Sequence, residues 1–134
     1  MAEAAVRKAR PKYLNLRALL FEIRLPLQGW VSIFHRVSGA ALFFPAVLWL
    51  LWMLDRSLSS PSGFDAVLLY ARLPLVKLGL IGFIWCFCHH FCAGIRYLFL
   101  DLDRGVDKRA SKLSALAALA GGLALTAFFG WKLW

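Results

Sequence analysis

Residues 78–95 read LGLIGFIWCFCHHFCAGI, eighteen positions without an Asp, Glu, Lys or Arg. A helix crossing a bilayer needs about 20 mostly apolar residues, because the hydrocarbon is about 30 Å thick and each residue advances about 1.5 Å. With its flanks this run covers residues 75–98 and meets the requirement. Two other runs do the same. Residues 30–54 hold His35 and Arg36 near their start and no charge over 37–54, and residues 113–131 hold no charge at all. The pattern predicts an all-α integral membrane protein, a single anchor domain over residues 1–134 with three transmembrane helices. Pro45 falls inside the first span, where neighbouring helices can accommodate a kink.

Composition agrees. Of 134 residues, 61% are apolar, against about 45–50% in soluble domains. A soluble chain this short cannot hide so much apolar surface, whereas lipid can act as its solvent. The net charge of +9 would suit nucleic acid, but its distribution argues otherwise. Six of the sixteen basic residues precede Trp30 and five lie within 96–112, with long uncharged runs between. Basic patches flanking apolar spans set orientation in a membrane. Cys86, Cys88 and Cys92 all lie in one apolar run, unlike the disulfide framework of a small secreted domain. Cys88 and Cys92 share a helix face and read as small packing residues rather than metal ligands.

Residues 1–13 are basic and polar, without the apolar core and cleavage site of a secretory signal. They contain Glu3 and no Ser, unlike a mitochondrial transit peptide, which favours a bacterial inner membrane. Within a cytoplasmic and interfacial segment over residues 1–29, Leu16, Leu19, Leu20 and Ile23 recur at helical spacing with Arg17, Glu22 and Arg24 between them. A short N-terminal interfacial helix is expected there, ended by Pro26. Arg7, Lys8, Arg10, Lys12, Arg17 and Arg24 precede the first span, and Arg104, Lys108, Arg109 and Lys112 follow the second. The loop after the first span has only Arg56, Arg72 and Lys77. The N-terminus and second loop are therefore expected in the cytoplasm, and the C-terminus outside. The stretch SLSSPSG over 57–63 reads as an external turn. Trp30, Trp131 and Trp134 lie near span ends, as interfacial aromatics do. Ala117 with Gly121, Ala118 with Gly122, and Ala120 with Ala124 form small-xxx-small pairs that mark the third span as a packing helix.

Ionisable groups inside a span are costly, about 2.5–3.5 kcal/mol for a central cation on insertion scales, and point to function. Ser32, His35, Arg36 and Gly39 fall at i, i+3, i+4 and i+7 on one face of the first span. His90, Gly94, Tyr97 and Asp101 share a face of the second, and Cys86 continues that stripe. Counted from the same membrane surface the two histidines differ in depth by only about 5 Å, so both stripes are expected to face one pocket. A neutral imidazole in a dry bundle suits haem iron, with Gly94 leaving room for a macrocycle. Arg36 and His35 suit haem propionates, and Ser32 and Arg36 equally suit a quinone carbonyl, whose oxygen gains negative charge on reduction. The plainer alternatives are a His90 hydrogen-bonded to a neighbouring helix, an Arg36 that snorkels to the interface, and an Asp101 paired with Arg96 or with lipid headgroups. His89 points about 100° away from His90 and reads as a packing or surface contact.

Residues 32–39, SIFHRVSG, resemble the S-I-x-H-R-x-[ST]-G signature of the cytochrome b subunit of succinate dehydrogenase. Residues 90–101, HFCAGIRYLFLD, resemble that family's second signature, H-x-x-x-G-[IV]-R-H-[LM]-x-x-D. The Arg10-Pro11 start, the three-span layout and the SLSSPSGF loop are also similar, so the likeness covers nearly the whole chain. It implies His90 as one axial ligand of a b-type haem, chosen over His89 because only His90 has the H-x-x-x-G spacing. The other ligand would come from a smaller membrane anchor subunit. It implies His35, Arg36 and Tyr97 near the haem propionates, although Tyr97 stands where the family has His. It implies Ser32, Arg36 and Asp101 at a ubiquinone, beside the iron–sulfur subunit. Succinate oxidation would belong to a flavoprotein subunit, and no residue here carries it. An anchor of a menaquinone-linked fumarate reductase, or a non-redox membrane scaffold or assembly protein, would use a similar three-span layout.

Overall fold

The computed structural model describes residues 17–134, and everything it describes is helix or short connection. The expectations for residues 1–16, including Arg7, Lys8, Arg10, Lys12 and Leu16, fall outside the described residues. Of the expected interfacial helix, Ala18–Glu22 forms a single π-helical turn, closed by Ile23 N–H on the Ala18 carbonyl at 2.8 Å. Extended backbone follows to Pro26, which caps the first long helix.

Three helices are long and apolar enough to cross a membrane: α1 (Leu27–Ser59), α3 (Pro74–Asp101) and α4 (Lys108–Leu133). Each overruns its expected span by a few residues. Apolar runs count only the hydrocarbon crossing, whereas a helix continues until a cap stops it. Pro26 and Pro74 begin helices where a missing N–H costs nothing, and the Asp107 carboxylate accepts from Arg109 and Ala110 N–H at the start of α4. The end of α3 is a Schellman turn: Arg104 N–H reaches the Phe99 carbonyl and Asp103 N–H that of Leu100, with Asp103 at φ 55.

Pro45 is accommodated within α1 itself. Proline cannot donate to the helical ladder and its ring crowds the carbonyl four residues back. The backbone widens over Leu42–Ala46 into a π segment, with Val47 N–H on the Leu42 carbonyl, and then resumes as α-helix. The expected turn over 57–63 contains a non-helical break at Ser60 between two helices, and its second half starts a helix. Ser60 Oγ accepts from Gly63 N–H at 3.0 Å, Pro61 takes the first position, and α2 (Pro61–Ala71) follows. It folds back on α1 through Trp49 Nε1, which donates to Tyr70 Oη at 3.2 Å.

The closest packing joins α3 to α4. Ala115, Ala118, Gly122 and Gly130 form the buried stripe of α4. A methyl group on Gly122 would lie 3.1 Å from the Cα of His89, tighter than ordinary contact, so glycine favours this close approach. Of the three expected small-residue pairs, Ala118–Gly122 lies wholly on that stripe, whereas Ala117, Ala120 and Ala124 are exposed. Large apolar side chains such as Phe43, Leu48 and Trp131 stand on the outer surface, as a lipid-solvated chain allows. The protein is a multi-pass membrane protein.

Candidate functional site

The half of α1 before Pro45 lies against α3 and sets the two polar stripes in direct contact. The imidazoles of His35 and His90 stack with ring centres 4.1 Å apart and planes 11° from parallel. His90 Nδ1 lies 2.9 Å from the His35 carbonyl. A carbonyl only accepts, so Nδ1 carries a proton; in the neutral tautomer this implies, the lone pair is on Nε2. Ser38 is fully buried and donates to the same carbonyl at 3.0 Å, with its Oγ 3.5 Å from His90 Nδ1. Gly39 closes the clamp, since a Cβ there would stand 2.7 Å from His90 Cε1. Tyr97 completes the cluster, its ring centre 5.0 Å from that of His35.

Where a shared pocket was expected, the stripes touch, and none of the described cavities is lined by His35 or His90. Glycine on one helix and flat rings on both let the surfaces close. Gly94 faces His35 Nε2, 3.7 Å from where its Cβ would be, rather than an opening for a macrocycle. The largest of the described cavities, about 620 Å³, is an apolar cleft beside the Pro45 segment lined by Leu42, Leu50, Phe83 and Phe87 among others, with Lys132 also on its wall.

Ser32 is half-buried, and Arg36 and Asp101 are exposed. No contact joins Arg36 to Asp101 among the described residues. Arg96 does not pair with Asp101: its Nε donates to Ser114 Oγ and its Nη2 to Ser111 Oγ, both at 3.1 Å on α4. His89 is buried, stacked on Trp85 at 5.4 Å and edge-on to Phe34 at 6.0 Å. Its Nε2 is sealed without a partner, so it is a packing residue and not a surface one. Ser38 is the site residue that periodicity missed. Its signal lay in its spacing, three residues after His35, where a hydroxyl reaches back to a backbone carbonyl.

Residues 7–129 match the model of the succinate dehydrogenase/fumarate reductase transmembrane subunit family. The chain belongs to that family. It is similar to the succinate dehydrogenase cytochrome b556 subunit of Paracoccus denitrificans, 34% identical over 102 residues, or 76% of this chain and 78% of the relative. The corresponding subunit of Rickettsia typhi is 31% identical over 100 residues, 75% of this chain and 77% of the relative. The family's membrane character agrees with the three long apolar helices. As a member of it, the chain is a succinate dehydrogenase cytochrome b type membrane subunit.

Proposed function

We propose that the chain is the larger membrane anchor of a succinate:ubiquinone oxidoreductase, supplying His90 to the iron of a b-type haem and Ser32 and Arg36 to ubiquinone. The bond from His90 Nδ1 to the His35 carbonyl is what carries this reading. Metal-ligating imidazoles almost always donate their second ring N–H to a carbonyl, carboxylate or water, which fixes tautomer and direction. The residues present fit the group: the ring is clamped by Gly39 and Ser38, and Nε2 is left as the ligating atom. A metal–imidazole bond forms in the ring plane, so His35 on the ring face does not compete for it.

When bound, a b-type haem supplies a one-electron relay. His90 would hold the iron, and His35, Arg36 and Tyr97 would offer donors to the propionates. Ser32 and Arg36 donate to a quinone carbonyl oxygen, whose negative charge grows on reduction, so that these donors favour the reduced forms. Asp101, at the exposed end of α3, serves proton delivery. The other iron ligand would come from the smaller anchor, electrons would arrive from the iron–sulfur subunit, and succinate oxidation would belong to the flavoprotein subunit. The assembly lies in a bacterial inner membrane with the N-terminus of this chain in the cytoplasm, following its basic ends.

The test is a visible spectrum of the affinity-purified complex with its co-purifying subunits identified. Low-spin b bands in the reduced-minus-oxidised difference are expected, and their loss in His90→Ala. A colourless wild-type complex, or bands that survive His90→Ala, would overturn the assignment. The matching family's description also names fumarate reductase, so an anchor of a menaquinone-linked enzyme is the second reading. The quinone extracted with the complex separates the two.

A further inference from the structure

Arg96 is a buried cation for which the described residues supply no counter-charge. Only 6% of it is exposed. Nε and Nη2 bond to Ser114, Ser111 and the Ser111 carbonyl, and the guanidinium stands 5.2 Å from the Tyr97 ring centre. Those partners are dipoles and a ring. No carboxylate among the described residues pairs with it, and Nη1 carries no hydrogen bond. A guanidinium stays protonated, and withdrawing it from water without a neutralising partner is expensive.

Its surroundings indicate what neutralises it. Arg96 and Ser114 line two adjoining clefts between α3 and α4. The first, about 260 Å³, brings in Arg104, Gly105 and Ala110 beside the N-terminal turn of α4. The second, about 290 Å³, is lined by Cys92, Ile95, Ala117 and Ala118 and runs deeper along the bundle. Arg96 is common to both clefts and Arg104 adds a second cation to the first, while the remaining walls are mostly apolar. Arg96 lies five residues before the end of α3, about 8 Å below it, at the depth where headgroups meet acyl chains. Over residues 96–112 five basic residues outnumber three acidic ones, and the Asp107 carboxylate is engaged by backbone N–H groups.

We infer that these clefts hold one anionic phospholipid, its phosphate between Arg96 Nη1 and Arg104 and an acyl chain over Cys92, Ile95 and Ala117. Basic pockets between transmembrane helices recognise acidic headgroups by this charge pairing. The inference does not rest on the haem or quinone reading.

The test uses the purified complex, stripped of lipid by detergent and offered phosphatidylglycerol, phosphatidylcholine or inorganic phosphate, with retention read by native mass spectrometry. One phosphatidylglycerol retained per copy of this chain is expected, with phosphatidylcholine washed away. Arg96→Gln abolishes retention, and Arg104→Gln weakens it about fivefold, or about 1 kcal/mol. Should Arg96→Gln not assemble, the exposed Arg104 variant decides alone. Four results would overturn the inference: equal retention of phosphatidylcholine, unchanged retention in Arg104→Gln, displacement by inorganic phosphate at equal concentration, or a subunit carboxylate cross-linked beside Arg96.

Discussion

Gly39→Ala is the smallest change that tests whether the His90 clamp matters. The new methyl carbon would lie 2.7 Å from His90 Cε1 and 3.1 Å from Nδ1. Carbon atoms in contact prefer about 3.5–4.0 Å, so the ring must retreat by about 1 Å. A retreat along the bond would stretch the 2.9 Å separation of Nδ1 from the His35 carbonyl to about 3.9 Å, beyond hydrogen-bonding range. Losing the bond costs about 0.5–1.5 kcal/mol and overpacking about 1–3 kcal/mol, while replacing a mid-helix glycine by alanine returns about 1 kcal/mol. A net destabilisation of about 0.5–3.5 kcal/mol is the result. Haem affinity suffers more, because removing the outer partner of a ligating histidine typically costs about 10–100-fold. Haem per copy of this chain, measured spectroscopically on complex purified from haem-limited cells, is therefore expected to fall sharply in Gly39→Ala. Gly94→Ala is the control, because its methyl meets His35 Nε2 at an ordinary 3.7 Å. Full haem with an unshifted spectrum in Gly39→Ala, or an equal loss in Gly94→Ala, would refute the clamp.

Further outcomes follow from the same geometry. Arg36→Leu and Ser32→Ala each lower quinone reduction at least about tenfold, since donors to a developing oxyanion are worth that much or more, while dye reduction by the soluble subunits persists; normal quinone turnover in both would remove these residues from the quinone site. Gly122→Leu separates α3 from α4 at the 3.1 Å approach to the His89 backbone and costs about 3 kcal/mol or more, read as loss of assembled complex, whereas Ala120→Leu on the exposed face assembles normally. Expressed without its partner anchor, the chain binds haem only weakly and in a five-coordinate, high-spin form; a low-spin spectrum from the lone chain would contradict the half-site.

The helices were legible because lipid leaves little choice: a backbone that cannot bond to solvent must bond to itself, and three apolar runs of sufficient length announce three spans. Helix α2 was hidden by its own beginning. Ser60 and Pro61 are turn formers, and the same residues also cap and start a helix. The polar faces of α1 and α3 followed from a period of 3.6, and the matched depth of His35 and His90 followed from counting. Whether a pocket or a contact lay between them did not, because periodicity gives direction and not separation. Gly39 decided that by letting the His90 ring close on α1. Arg96 had a readable signal that its motif obscured: it is seven residues beyond His89 and three beyond Ala93, and all three are buried. That spacing turns its side chain toward α4 rather than toward Asp101.

If the chain binds a haem as proposed, its packing leaves one imidazole to offer. Six-coordinate iron needs its two axial nitrogens on opposite faces of the macrocycle. The chain has three histidines. The rings of His35 and His90 lie face to face, 4.1 Å apart, so neither can stand across an iron from the other. His89 is on the α4 side of α3 with Nε2 sealed inside the bundle, and exposing it would mean unstacking Trp85 and parting the helices at Gly122. No group of three His, Cys, Asp or Glu in the described residues is placed to form a metal site by itself. If His90 ligates iron, the opposite imidazole has to be brought by another chain, and the haem becomes a joint whose two halves are held together by the metal they share. Loss of haem should then loosen the anchor pair as well as bleach it.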